Sequence, residues 1–170
     1  MRTRRWAVLT AATILVCHLS MAVISCSSIE CPVQNTVAVN YDIRNGAGSL
    51  DSLKDTLWVL TRRRNGTDTL LLNRLVGKTS FSLNVSYSQP EDTLLFVVRD
   101  TLNVWSIDTV WLKKENIPHF ESVDCNAHYF HKLTAVRSSH QAIDSMTIAN
   151  PNVNYDPSYT HIHIYFKSRR

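Results

Sequence analysis

The chain has 170 residues, 18 of them basic and 14 acidic, with 44% hydrophobic residues, four glycines and four cysteines. That length is one domain's worth, and the apolar fraction belongs to a packed fold rather than a disordered tail. So few glycines exclude the Gly-rich phosphate loops of nucleotide-binding proteins, and neither a Gly-x-Ser-x-Gly elbow nor a His-Glu-x-x-His pair occurs.

The first element in chain order is a basic start, Met-Arg-Thr-Arg-Arg, followed by an apolar run from Trp6 to Val16 and small residues up to Val23-Ile24-Ser25-Cys26. This is the pattern of a secretory signal. Its continuous apolar core is about ten residues, well short of the roughly 20 that a spanning helix needs. Val23-Ile24-Ser25-Cys26 resembles the lipobox of bacterial lipoproteins. The resemblance implies that residues 1–25 are cleaved, that Cys26 is lipidated, and that acyl chains rather than a protein segment hold the mature chain on a membrane. Loss of Arg2, Arg4 and Arg5 leaves 15 of the 18 basic residues against 14 acidic ones. A near-neutral domain gives no reason to expect nucleic acid as a partner, and no cofactor is implied.

Residues 26–35 read as a short lipid-anchored tether containing Pro32, and residues 36–170 as a single domain. Val37, Val39, Tyr41 and Ile43 alternate with polar residues, as do Phe81, Leu83, Val85 and Tyr87, which predicts half-buried antiparallel strands. In "WVLTRRRNGTDTLLL", Asn65-Gly66 predicts a two-residue type I′ hairpin turn, pairing Arg64 with Thr67 and Arg63 with Asp68. Aspartate followed by Ser or Thr and an aliphatic residue recurs at Asp51, Asp55, Asp68, Asp92, Asp100, Asp108 and Asp144. These read as turn-to-strand junctions. Their spacing is uneven, which speaks against a solenoid or propeller, and they lack the ligand spacing of a calcium loop.

Lys113 to His119 is expected to form a single helical turn around Pro118. The chain ends in a strand, with His161 and His163 on the face away from Ile162 and Ile164. No segment keeps a 3.6-residue apolar period over ten residues. The expected fold is therefore an all-β antiparallel β-sandwich, Ig-like or transthyretin-like, with about eight or nine short strands and a small β-barrel as the alternative.

Three places could carry chemistry. In "DCNAHYFH", Cys125, His128 and His131 stand at three-residue steps, which suits a zinc site on a helix but splits them between two faces of a strand. A catalytic cysteine beside a base is the second reading. The third is a disulfide: once Cys17 leaves with the signal and Cys26 is acylated, Cys31 and Cys125 are the pair that remains in an exported domain. His161 and His163 are weak metal candidates for a metal-dependent hydrolase, with a third ligand drawn from His119 to His131. Trp58, Trp105 and Trp111 could form the stacking platform of a carbohydrate-binding module.

The lipobox cysteine, "IECP" after it, and "PHFESVDCNAHYFHKLTAVRSSHQAIDSMTIANPNVNY" together resemble a family of uncharacterised lipoproteins of Bacteroidetes bacteria, most recognisably from Pro118 to Tyr155. The resemblance implies a cell-envelope lipoprotein with paired cysteines and brings no catalytic residue. The expected role is a non-catalytic binding or structural module for another envelope component, such as an outer-membrane β-barrel. With only Glu30 acidic among Ser27-Ser28-Ile29-Glu30, the expected location is the outer membrane facing the periplasm, with the cell surface as the alternative.

Overall fold

Strand alternation governs almost every described segment of the chain. The computed structural model describes residues 37–63, 66–120, 122, 125 and 128–168, all within the unit Val33–Arg170. The expected signal and tether, with Cys26 and Cys31, lie outside the described residues, as does Asn65.

Ten strands form among the described residues: β1 (Ala38–Arg44), β2 (Thr56–Arg62), β3 (Asp68–Leu75), β4 (Ser80–Asn84), β5 (Glu91–Arg99), β6 (Trp105–His119), β7 (His128–Ser138), β8 (Ile143–Ile148), β9 (Asn152–Val153) and β10 (Ile162–Phe166). They build a four-stranded sheet in the order β4-β1-β10-β8 and a six-stranded sheet in the order β3-β2-β5-β6-β7-β9. There is no helix among the described residues. The expected all-β sandwich is the fold observed, with one ladder of a different sense: β1 and β10 pair parallel, Tyr41 opposite Ile162.

The core lies between the sheets because each strand turns one alternate row inward. Val39, Tyr41 and Ile43 of β1, Phe81 and Leu83 of β4 and Ile162 and Ile164 of β10 meet Leu57 and Val59 of β2, Leu94, Phe96 and Val98 of β5 and Val110 and Leu112 of β6. Full burial of each such side chain is worth about 1.5–3 kcal/mol. At the centre Tyr41 stacks on Phe81 with ring centroids 4.8 Å apart, and Phe96 tilts against both. The Tyr41 hydroxyl is buried without a hydrogen-bond partner; burial, and secondarily the charge of Asp92, pushes its pKa up.

Three local expectations are corrected. Lys113 to His119 is not a helical turn but the far end of β6, paired with β7 through Pro118 opposite Tyr129. An extended partner strand supplies the ladder, and the exposed Pro118 only withholds one donor from it. The β2–β3 hairpin is one residue longer than Asn65-Gly66 predicts. Gly66 N–H donates to the Arg63 carbonyl, Arg63 N–H donates to the Thr67 carbonyl, and Gly66 has φ 79°. That is a three-residue loop closed by a left-handed glycine, so the cross-strand ion pair joins Arg62 to Asp68 at 3.3 Å, not Arg63. The strand at Phe81 ends at Asn84, and Tyr87 leaves it to stack on Tyr129.

One of the seven aspartates, Asp108, lies well inside a strand and not at a turn-to-strand junction, whereas Asp92 enters β5 directly after a turn. Asp92 and Asp108 sit within β5 and β6 and face inward. Each is tolerated because its charge is met. Asp92 accepts from Lys114 Nζ at 2.8 Å and from the Ser86 backbone N–H. Asp108 accepts from Ser139 Oγ and from the backbone N–H groups of Gln141, Ala142 and Ile143.

Candidate functional site

Outward-facing residues of the six-stranded sheet follow from the same alternation. Trp58, Leu60, Leu95 and Val97 alternate with core residues of β2 and β5, while Trp105, Ile107 and Trp111 alternate with core residues of β6. Register brings them together: Trp58 lies opposite Val97, Val97 opposite Ile107, and Arg99 opposite Trp105. On the next strand Leu70 lies opposite Leu60.

The result is a continuous apolar face. Trp105 and Ile107 remain 53% and 55% exposed, and Leu70, across β5 and β2 on edge strand β3, is exposed as well. Trp58 and Trp105 stack with centroids 5.2 Å apart, and the Arg99 guanidinium lies 5.7 Å and 5.5 Å from the two rings. Cation–π contact fixes both rings and leaves a positive group at the rim. Trp111 stands apart beneath Arg137, 4.4 Å from its ring, and Arg137 in turn reaches Glu91. Two of the three predicted tryptophans are thus brought together. They cover each other's faces instead of lying side by side as a flat sugar platform.

Arg99 and Ile107 are functional candidates that sequence reading missed. The available signal was the short turn at Asp100–Val104, which folds positions 99 and 105 opposite one another. Its Asn103 adopts φ 66°, and Asp100 accepts from the backbone N–H groups of Leu102 and Val104.

His161 and His163 do not act as a pair. His161 is fully buried, and its Nδ1 accepts the backbone N–H of Asn40 at 3.0 Å, so the proton sits on Nε2. That Nε2–H interacts with the backbone of Asn152 without closing a hydrogen bond of full geometry. Burial lowers the pKa of His161, and burial together with Arg44 lowers that of His163. Asp42, opposite His163, is engaged by Arg44 and Thr160. A cation beside the candidate ligands repels a metal ion. Among the described residues no group of three or more His, Cys, Asp or Glu converges as a metal site.

His128 and His131 project to opposite faces of β7, as strand geometry requires. His131 is buried on the inner face, where its Nδ1–H donates to Asn116 Oδ1 at 2.8 Å. Burial first, and the Lys114 charge second, lower its pKa to about 4. Lys114 Nζ also donates to the Gln89 carbonyl, and Asn116 Nδ2 donates to the carbonyls of Tyr87 and Gln89. This polar network therefore pins the β4–β5 connection. On the outer face His128 packs edge-on against Tyr155, alongside His119 stacked on Phe130. Cys125 is buried, and Cys31, its expected disulfide partner, lies outside the described residues.

One cleft, of about 430 Å³, opens at the end of the sandwich between the β1–β2 connection, the β5–β6 turn and the residues after β10. Asp51, Asp55 and Asp100 line it with Arg44, Lys54 and Lys167. The Asp51 and Asp100 carboxylates are engaged with backbone N–H groups of their own turns.

Fold and surface together define a two-sheet β domain with one apolar sheet face turned to solvent. The chain belongs to the DUF6452 family, a family of unknown function, whose pattern matches residues 56–166. No curated protein and no solved structure shows significant similarity to it.

Proposed function

We propose that the protein is a lipid-anchored, non-catalytic binding module of the bacterial cell envelope that engages another envelope protein through the outer face of its six-stranded sheet. The carrying observation is the Trp58–Trp105 stack under Arg99, continuous with exposed Ile107 and Leu70. Contiguous apolar surface of this kind marks interaction sites, and tryptophan and arginine dominate binding energy where they occur at interfaces. An outer-membrane β-barrel is the partner class the proposal names. The resemblance of Val23-Ile24-Ser25-Cys26 to a lipobox supports the anchor, and the single acid, Glu30, in the four residues after it supports the periplasmic face of the outer membrane.

Edge pairing supports the reading less well. The C-terminal β10 is central in its sheet, between β1 and β8, so it offers no free edge. β3 is an edge strand, but its pairing with β2 is interrupted by register shifts and Arg74 takes φ 54°. Such irregularities blunt an edge against strand addition. Within the same proposal Cys31 is the partner of Cys125, closing a loop of about 95 residues worth roughly 4–5 kcal/mol of chain entropy. A non-reducing peptide map tests that bond directly.

Affinity capture from detergent-solubilised membranes tests the function. The wild-type chain is expected to retain a stoichiometric companion. Trp105→Ala is expected to weaken that capture about 30-fold or more, the loss of about 2 kcal/mol typical of an interface anchor, with the unfolding midpoint nearly unchanged. Equal recovery by both chains, or recovery of the protein alone, refutes the proposal. Stoichiometric zinc in the purified protein, lost in His163→Ala, would replace it with the metal-hydrolase reading.

A further inference from the structure

Val37, the first described residue, leads into β1 at the end of the sandwich opposite the cleft. Ala38 pairs with Asn84 at the end of β4, so the β4–β5 connection emerges at the same end. β6 and β7 extend past the start of β5 there, from the Glu91–Lys113 pair to the His119–His128 pair.

Large apolar and aromatic side chains ring this end. Tyr87 and Phe120 are 66% and 64% exposed, and Ile117, Tyr155 and Tyr159 are exposed with them. Several are held rigidly from beneath. Tyr87 stacks on Tyr129 at 5.2 Å, and its carbonyl accepts from Asn116 Nδ2. Tyr155 packs edge-on against Phe130 at 4.9 Å, and the Tyr159 carbonyl accepts from Asn40 Nδ2. Tyrosines with an apolar body and a polar tip are the side chains that settle at a membrane–water interface.

The length of chain preceding Val37 says what covers them. Cys26 stands eleven residues before it, a reach of at most about 40 Å fully extended. A Cys31–Cys125 bond would shorten the free span to five residues, about 17 Å, and Cys125 belongs to the β6–β7 connection at this same end. We propose that the ring of Tyr87, Ile117, Phe120, Tyr155 and Tyr159 rests in the headgroup layer of a phospholipid bilayer, standing the sandwich on its anchored end with Trp105 and the cleft turned away from the membrane. The inference rests on the lipid-anchored reading above. It adds an orientation that puts the Trp58–Trp105 stack on the membrane-distal side, so a barrel partner must meet it with a part that projects beyond the bilayer.

Quenching by phospholipids brominated in the acyl chain reads this orientation. The mature protein, its acylation checked by mass spectrometry, is reconstituted into phosphatidylethanolamine–phosphatidylglycerol vesicles. Native emission, from Trp58, Trp105 and Trp111, is expected to be unaffected by bromine. Tyr87→Trp, which keeps a flat ring over Tyr129, is expected to add a component that bromine quenches. Quenched native emission, or an added component in the Tyr87→Trp chain that bromine leaves unquenched, overturns the orientation. A chain found without acyl groups refutes the anchored reading by itself. Vesicle binding of that unacylated chain then reads the ring separately: bound, with the Tyr87→Trp component quenched, the surface stands; unbound, it falls.

Discussion

Asp108 shows how one buried charge can organise a connection. Its two oxygens accept from four donors between Ser139 and Ile143, at 2.6 to 3.0 Å, and so fix the path from β7 into β8. Charge-assisted bonds to backbone N–H groups are the strong kind, and removing the acceptor leaves the Ala142 and Ile143 donors buried and unmet. Asp108→Ala is expected to lower unfolding free energy by about 3–5 kcal/mol, and Asp108→Asn, which keeps one acceptor oxygen, by about half as much. Urea unfolding distinguishes the two; equal, small effects would show that the connection holds without the carboxylate. His131 links the interior to pH. Its folded pKa, about 4, lies below the ordinary 6.5, so the unfolded chain takes up the proton first. Stability is therefore present above about 6.5 and is lost as pH falls toward 4. His131→Gln, which can still bond Asn116, is expected to shrink the stability difference between pH 7 and pH 5 by up to about 2 kcal/mol. His161 and His163, also lowered, retain the rest of the slope. An unchanged slope in urea titrations at the two pH values would remove His131 from the account.

At the scale of elements, two hairpins close on the same left-handed device with different residues. Gly66 and Asn103 have φ 79° and 66°, and each donates its own N–H to the carbonyl three residues earlier, Arg63 and Asp100. No atom lies within 4 Å of a Cβ built on Gly66, so the cost of a side chain there is conformational alone. Gly66→Ala is expected to destabilise by about 1 kcal/mol, and Asn103→Gly to be neutral or stabilising by a few tenths. Matched thermal melts check the pair; Gly66→Ala without effect would mean the loop has another conformation. Strands with clean alternation, β1 and β10, were legible in the sequence because each buries a single face. β6 was not, because Pro118 and the charges at Lys113 and Glu115 hide an alternation that only pairing with β7 reveals. The buried Asp108 was misread for a similar reason. A turn-forming Asp-Thr followed by an aliphatic residue and a buried one are identical until the backbone after Ser138 is seen to meet the carboxylate. Candidate surface residues were partly legible: Trp58 and Trp105 stood out as tryptophans, but their contact and the role of Arg99 depend on register.

For the whole molecule the decisive ladder joins opposite ends of the chain. β10 lies between β1 and β8, and its pairing with β1 begins where His161 N–H donates to the Asn40 carbonyl and His161 Nδ1 receives the Asn40 N–H. The imidazole thus extends the parallel ladder by one bond and sets its register, which explains why a histidine is buried there instead of serving a metal. Contacts between residues some 120 positions apart form only after long loop closure, so folding should be slow and completion should depend on the last strand. Without β10 the inward faces of β1 and β8, with Val39, Tyr41 and Ile143, lose the Ile162 and Ile164 side chains packed between them. A chain ending at Thr160 is therefore expected to lose its cooperative urea transition and near-ultraviolet dichroism, while the full chain carrying His161→Ala keeps both at reduced stability. Adding a peptide of residues 160–168 in trans should restore part of the signal, since β1 and β8 can both pair with it. A truncated chain that unfolds cooperatively at the full-length midpoint would show that the four-stranded sheet is held by the core of the larger sheet alone, with β10 merely docked upon it.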